Sequence, residues 1–277
     1  FIKKVFIADS IAPIADAGFA LADPSTADAW LAVIAYTVQL YFDFSGYSDM
    51  AIGLGLMIGF RFVENFRQPY VSQSITEFWR RWHMSLSSWL RDYLYVPLGG
   101  NRHGTVATYR NLFLTMLLGG LWHGANWTFV LWGAWHGAVL CIERALGVRA
   151  EPGGFRVHRW LLTLLVVMIG WTLFRASDLG AALDMLGAMF RFDAQGLSAP
   201  YADSVSTLQG VTLIVALAVL AWGGWRDRRT TAMTGAAPTA PPTLRTLALY
   251  GALLPLFAFA VLKLSAQSYS PFLYFQF

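Results

Sequence analysis

The stretch GLWHGANWTFVLWGAWHG, residues 120–137, places two histidines and four tryptophans in surroundings otherwise apolar enough for lipid. It joins two short apolar runs, Leu112–Trp122 and Trp127–Ile142. At about 1.5 Å of rise per residue, the first run covers only about half of a hydrocarbon core. The pattern therefore predicts a short helical hairpin that enters a membrane from one side, with His123 at its tip. An imidazole at such depth is costly and faces a protein interior or a water-filled path. It is also the side chain best able to move protons near neutral pH.

The rest of the chain is built for the same environment. Of its 277 residues, 56% are hydrophobic and 13% charged, against about a quarter charged in a soluble domain. Apolar runs at Leu161–Phe174, Leu208–Trp225 and Leu247–Leu264 each approach, with their neighbours, the roughly 20 residues of a membrane-crossing helix. All three are predicted transmembrane helices. Trp30–Phe60 is a longer apolar segment broken by Asp43, Asp49 and four glycines. It predicts a kinked or paired helical element, because small residues admit close helix contact. The amphipathic opening, 1–28, begins FIKKVFIAD without an initiator Met or a signal-peptide core. The chain is therefore expected to be the C-terminal portion of a longer protein.

Residues 61–110 depart from this pattern. Seven arginines stand against Glu64, Glu77 and Asp92, interleaved with Trp79, Trp82, Trp89, Tyr93 and Tyr95. Such a segment reads as amphipathic helices lying at an interface or re-entering the membrane, closed by the turn PLGGNRHG at 97–104. By the positive-inside rule, Arg144, Arg149, Arg156 and Arg159 mark one cytoplasmic loop and Arg226, Arg228 and Arg229 another. The linker 230–243 is then cytoplasmic, the C-terminal SYSPFLYFQF lies outside, and the tip at His123 is reached from the cytoplasm. The expected architecture is an all-α, polytopic integral membrane protein. The net charge of +4 is scattered between apolar segments and is no nucleic-acid footprint. The single cysteine, Cys141, excludes an internal disulfide and reads as a buried small hydrophobe.

Several residues invite a chemical reading. His123 sits between Trp122 and Gly124, where missing side-chain bulk suits a bend or the approach of a substrate. His83 lies in FWRRWHMSLSSWLRDYLYVPLGG. Arg80, Arg81 and Arg91 beside it suit anionic phosphates such as those of a CoA thioester, although each taken singly also suits a headgroup anchor. His136 is too far from His123 for an i,i+4 pair and reads as helix packing first. His103 and His158 read as solvated loop residues. Asp43 and Asp49 are expected to bond a neighbouring helix or an arginine. No HExxH or Cys/His ligand spacing points to a metal site. The absence of GxSxG, P-loop and dinucleotide fingerprints weighs against hydrolase, ATPase and dehydrogenase chemistry.

YFDFSGYSDMAIGLGLMIGFRF at 41–62, FWRRWHMSLSSWLRDYLYVPLGGNR at 78–102, GLWHGANWTFVLWGAWHG and the terminal PFLYFQF together resemble the membrane-bound O-acyltransferase (MBOAT) family. More narrowly, they resemble its bacterial alginate O-acetylation branch. The resemblance implies a ring of tilted helices around a funnel or tunnel, of which this chain lacks the N-terminal helices. It implies that His123 is the essential histidine acting as general base or assisting acyl transfer, and that His83 lies near the reaction centre from the cytoplasmic side. It implies that Tyr274 relays the acyl group outward. Asn126 or Trp122 would then be placed to donate to a developing oxyanion.

The expected function is transfer of acetyl groups from a cytoplasmic donor, acetyl-CoA, for O-acetylation of an exported polysaccharide, alginate first. Periplasmic acetyltransferase subunits would be partners, in the bacterial inner membrane. The alternatives are an acyltransferase acting on lipid or protein, and a non-catalytic polysaccharide export or channel subunit.

Overall fold

The computed structural model describes residues 1–148, 154–233 and 244–266. The described residues hold helices and turns, without strands. After a π-helical turn at Lys3–Ala8 come α1 (Asp9–Phe19), α2 (Thr26–Met57), α3 (Ile75–Trp79), α4 (Met84–Leu90), α5 (Gly104–His123) and α6 (Trp127–Ala145). They are followed by α7 (Val157–Arg175), α8 (Leu179–Met189), α9 (Ala199–Ser204), α10 (Thr207–Met233) and α11 (Leu244–Ala266). The all-α expectation holds.

Two of the three predicted spans meet the length and hydropathy of a membrane-crossing helix: Val157–Arg175, and Thr207–Asp227 within α10. The third run falls in α11, where a shorter apolar stretch, Leu253–Ser265, stands out. Hydroxyls within an apolar helix can be satisfied by its own carbonyls, as lipid requires. In α7 the hydroxyls of Thr163 and Thr172 donate to the carbonyls of Arg159 and Met168, one turn back.

Of the kinked or paired element expected at Trp30–Phe60, the pair is absent. α2 is one helix of 32 residues, because its glycines leave the i→i−4 ladder intact and no proline interrupts it. Its first part belongs to one compact unit, built from 14–37 and 63–204, and the remainder to a second, built from 1–13, 38–62 and the described residues after 204. In the second unit Lys4 is buried between Asp9 and Asp43, 2.7 Å from a carboxylate oxygen of each, and Lys3 meets Asp49 at 2.6 Å. Their partners are thus lysines of a neighbouring helical turn, the first of the two alternatives expected.

The first unit carries the hairpin. Here α5 and α6 pack antiparallel, and α5 starts eight residues before the apolar run predicted for it. It is 20 residues long, about 30 Å at the usual rise, so the segment 61–110 ends inside a helix instead of before one. Asn126 makes the turn: its side-chain oxygen accepts from the Thr128 amide, and its amide donates to the Ser177 carbonyl at 2.9 Å. One hydrogen of that amide thus ties the hairpin tip to the α7–α8 connection. Cys141 is half-buried and donates to the Tyr109 carbonyl at 3.4 Å across the hairpin. Elsewhere in this unit α2 and α8 share a core of Ala29, Val33, Met185, Ala188 and Met189.

The α5–α6 contact is a backbone contact. A methyl group at Gly120 would run into the Phe129 carbonyl, and one at Gly133 into the Met116 carbonyl. Each helix is close because the other offers no side chain. In the full-length protein, Gly133→Val is expected to cost about 1–3 kcal/mol by overpacking, seen as a lower melting temperature in detergent. Gly53→Ala, whose added methyl meets nothing within 4 Å, should not lower it.

Candidate active site

His123 is the last residue of α5, half-buried in an aromatic cage. Its ring lies 5.1 Å from Trp132 of α6 and 5.2 Å from Phe174 of α7, both edge-on, and 5.0 Å from Trp122. Centroid spacings of about 4.5–7 Å are those of favourable aromatic packing. The cage thus fixes the ring from two neighbouring helices.

His83 comes within electrostatic reach of this ring from another segment. It stands between α3 and α4 with φ 43° and ψ 55°, a left-handed backbone that a non-glycine residue adopts at a cost of order 1–3 kcal/mol and that clusters at functional sites. The preceding Trp82 packs 4.9 Å from Trp171, which stacks on Trp132 at 6.2 Å. The two imidazoles are near enough for a charge on one to act on the other. Burial pushes the His83 ring down to about 4, so at neutral pH it is an uncharged base.

His136 is fully buried and serves packing first, as its position suggested. It stacks on Phe78 at 6.3 Å and meets Trp79 and Trp132 at 5.4 and 5.2 Å. Gly170 makes the space, since a methyl there would lie 2.7 Å from the His136 Nε2. His103 and His158 are exposed.

The arginines divide. Arg80 and Arg91 line a cavity of about 470 Å³ whose walls also include Trp79, Ser87, Ser88, Leu112, Met116 and Leu140. Neither histidine lines it. Arg91 is paired with Asp92 at 2.7 Å, on the surface. Arg81 is turned elsewhere: it bonds Glu77 at 2.9 Å and the Arg67 carbonyl at 3.1 Å. Arg149, most of the linker 230–243 and Tyr274 with the terminal PFLYFQF lie outside the described residues.

Three residues that position this site escaped the sequence reading. Glu143 of α6 takes the amides of Ile75 and Thr76 and the Thr76 hydroxyl, at 2.5, 2.9 and 2.8 Å. It thereby anchors the start of α3 to the hairpin, adding to the Ser74 N-cap, whose hydroxyl oxygen accepts from the Glu77 amide, and to Glu77, which accepts from the Gln73 amide. Asn65 and Ser85 surround His83. A carboxylate in an apolar run is a visible signal for Glu143; Asn65 and Ser85 carry none, because their meaning arises only when 65 folds beside 85.

A family model described as MBOAT, membrane-bound O-acyltransferase family, matches residues 21–179, over half the chain. The chain belongs to the membrane-bound O-acyltransferase family. It is a membrane protein, and the matched residues include the segment of His83 and the hairpin of His123. Among relatives, the chain is 59% identical over its whole length to "Probable alginate O-acetylase AlgI" of Azotobacter vinelandii and 60% identical to the protein so named in Pseudomonas putida. A third, "Peptidoglycan O-acetyltransferase" of Helicobacter pylori, is 47% identical over 68% of the chain and 36% of its own length. The chain spans 60% and 59% of the first two relatives' lengths.

The Glu143 anchor generates a test. Glu143→Ala in the full-length protein should leave the Ile75 and Thr76 amides unsatisfied, costing roughly 1–3 kcal/mol. The expected readout is a lower melting temperature together with earlier proteolysis between residues 65 and 90.

Proposed function

We propose that this chain is the acyl-transfer part of a membrane O-acetyltransferase, moving acetyl groups from a cytoplasmic acetyl-CoA donor for O-acetylation of an exported polysaccharide, alginate foremost. The observation that carries the reading is the aromatic cage of His123, whose Trp132–Trp171–Trp82 contacts lead to the residue before His83, with the two imidazoles within electrostatic reach. An alginate acceptor is supported by relatives of that name near 60% identity over the full chain. The peptidoglycan relative favours a polysaccharide acceptor over a lipid or protein.

The chemistry suits these residues. A thioester is already activated, so transfer needs no ATP site. The attacking hydroxyl must lose a proton as it adds to the carbonyl, and a neutral imidazole takes it. His123 is the general base in this reading, and His83 a second imidazole at the same centre. Arg80 and Arg91, on one cavity wall, would hold the donor's phosphates; Arg81, bonded to Glu77, contributes less. Tyr274 would relay the acyl group outward, and periplasmic acetyltransferase subunits would complete transfer.

The surrounding architecture in this reading is a ring of tilted helices about a funnel in the bacterial inner membrane. The hairpin tip is re-entrant, 61–110 is interfacial, and 230–243 is a cytoplasmic linker. Arginines at 144, 156 and 159 on the hairpin's far side support a cytoplasmic approach.

Replacing His123 with Ala in the full-length protein is expected to lower polymer acetylation at least about 100-fold, the scale of a lost general base. Membrane insertion, measured by fractionation, should be unchanged. Wild-type acetyl content in that variant would overturn the mechanism, and loss of polymer export instead would favour a channel subunit.

A further inference from the structure

The hydrogen bonds around His83 determine which of its nitrogens carries the proton. The backbone amide of Ser85 can only donate, and it donates to Asn65 Oδ1 at 3.1 Å. The oxygen of the Asn65 side chain, not its NH₂, therefore faces this group. The Ser85 hydroxyl has one hydrogen and spends it on the same Oδ1 at 2.6 Å. His83 Nδ1 lies 3.4 Å from Asn65 Oδ1 and 3.4 Å from Ser85 Oγ. Both neighbours face it as acceptors, so a lone pair on Nδ1 would meet two others. A proton there removes that repulsion and is offered first to the Ser85 Oγ, since Asn65 Oδ1 already accepts twice.

The backbone holds the pieces in register. The Met84 amide donates to the Asn65 carbonyl at 3.0 Å, and the Arg67 amide to the Arg81 carbonyl at 2.9 Å. The left-handed turn at His83 is what brings its ring back over Asn65.

We infer that Asn65 and Ser85 are positioning residues that commit His83 to the Nδ1–H tautomer, leaving Nε2 as the nitrogen that accepts a proton. This rests on the reading of His83 as a member of the acyl-transfer centre. It gives the second imidazole of the centre, beside the general base His123, a lone pair with a fixed direction. Asn65 aims that ring without touching the reacting atoms, by the logic through which a bonded second nitrogen orients an imidazole. Of titratable groups, the structure places His123 in the electrostatic field of this ring; Asn65 and Ser85 are neutral.

The test uses full-length protein labelled with ¹⁵N-histidine in nanodiscs, with His83→Gln assigning the signal. At neutral pH the wild type should show a protonated Nδ1 and an unprotonated Nε2; the reverse tautomer, or an even mixture, overturns the inference. Asn65→Ala should blur the tautomer and lower the kcat of acetyl transfer about ten-fold, the scale of one net hydrogen bond, with donor KM unchanged. Asn65→Asp keeps an acceptor at Nδ1, restores the Nδ1–H signal, and moves the ring's titration upward, because a carboxylate favours the charged imidazole. Ser85→Ala, which keeps the backbone bond to Asn65, should retain the tautomer at reduced preference. An Asn65→Ala protein with unchanged tautomer and rate contradicts the proposal. Full activity in His83→Gln would instead remove His83 from the reaction, and the nitrogen spectrum would still decide the tautomer.

Discussion

The site depends on two helices touching backbone to backbone. Gly120 and Gly133 let α5 and α6 approach until a methyl on either would strike a carbonyl of the other. That closeness sets Trp132 against His123 and lets Phe129 and Phe174 close the cage. In lipid no hydrophobic force presses helices together, so close packing and polar ties hold the pair. Across the pair the Cys141 thiol donates to the Tyr109 carbonyl, while Asn126 ties the tip to the α7–α8 connection and Glu143 ties α6 to α3. One hairpin thus orients the residues on every side of it.

The aromatic content serves the same purpose. Trp82, Trp171 and Trp132 form a continuous packed path from His83 to His123. Each ring buries a large apolar area with few rotatable bonds, which makes a rigid wall at small entropic cost. A rigid wall suits the proposed proton-transfer centre, since misplacing a reacting group by about 1 Å can cost about 100-fold in rate.

Much of this was legible in the residues. Apolar run length gave α7 and α10, and the histidine-bearing stretch between two short runs gave the hairpin. Periodicity failed where helices extend past their apolar runs: α5 begins with Gly104 and carries Arg110, which a hydropathy reading assigns to a polar segment. It failed again in α2, where glycines allowed for a pair of helices and the chain forms one. Residue type alone could not separate Arg80 from Arg81, neighbours that face a cavity and a glutamate respectively. Nor could it find Asn65, whose role depends on a residue 20 positions away.

The central claim is that His83 and His123 form one reaction centre. Cryo-electron microscopy of the full-length protein with a non-transferable thioether analogue of acetyl-CoA tests it most directly. The account predicts the acyl carbon between the two imidazoles, with the phosphates toward Arg80 and Arg91. Ordered acyl density away from both histidines would contradict it.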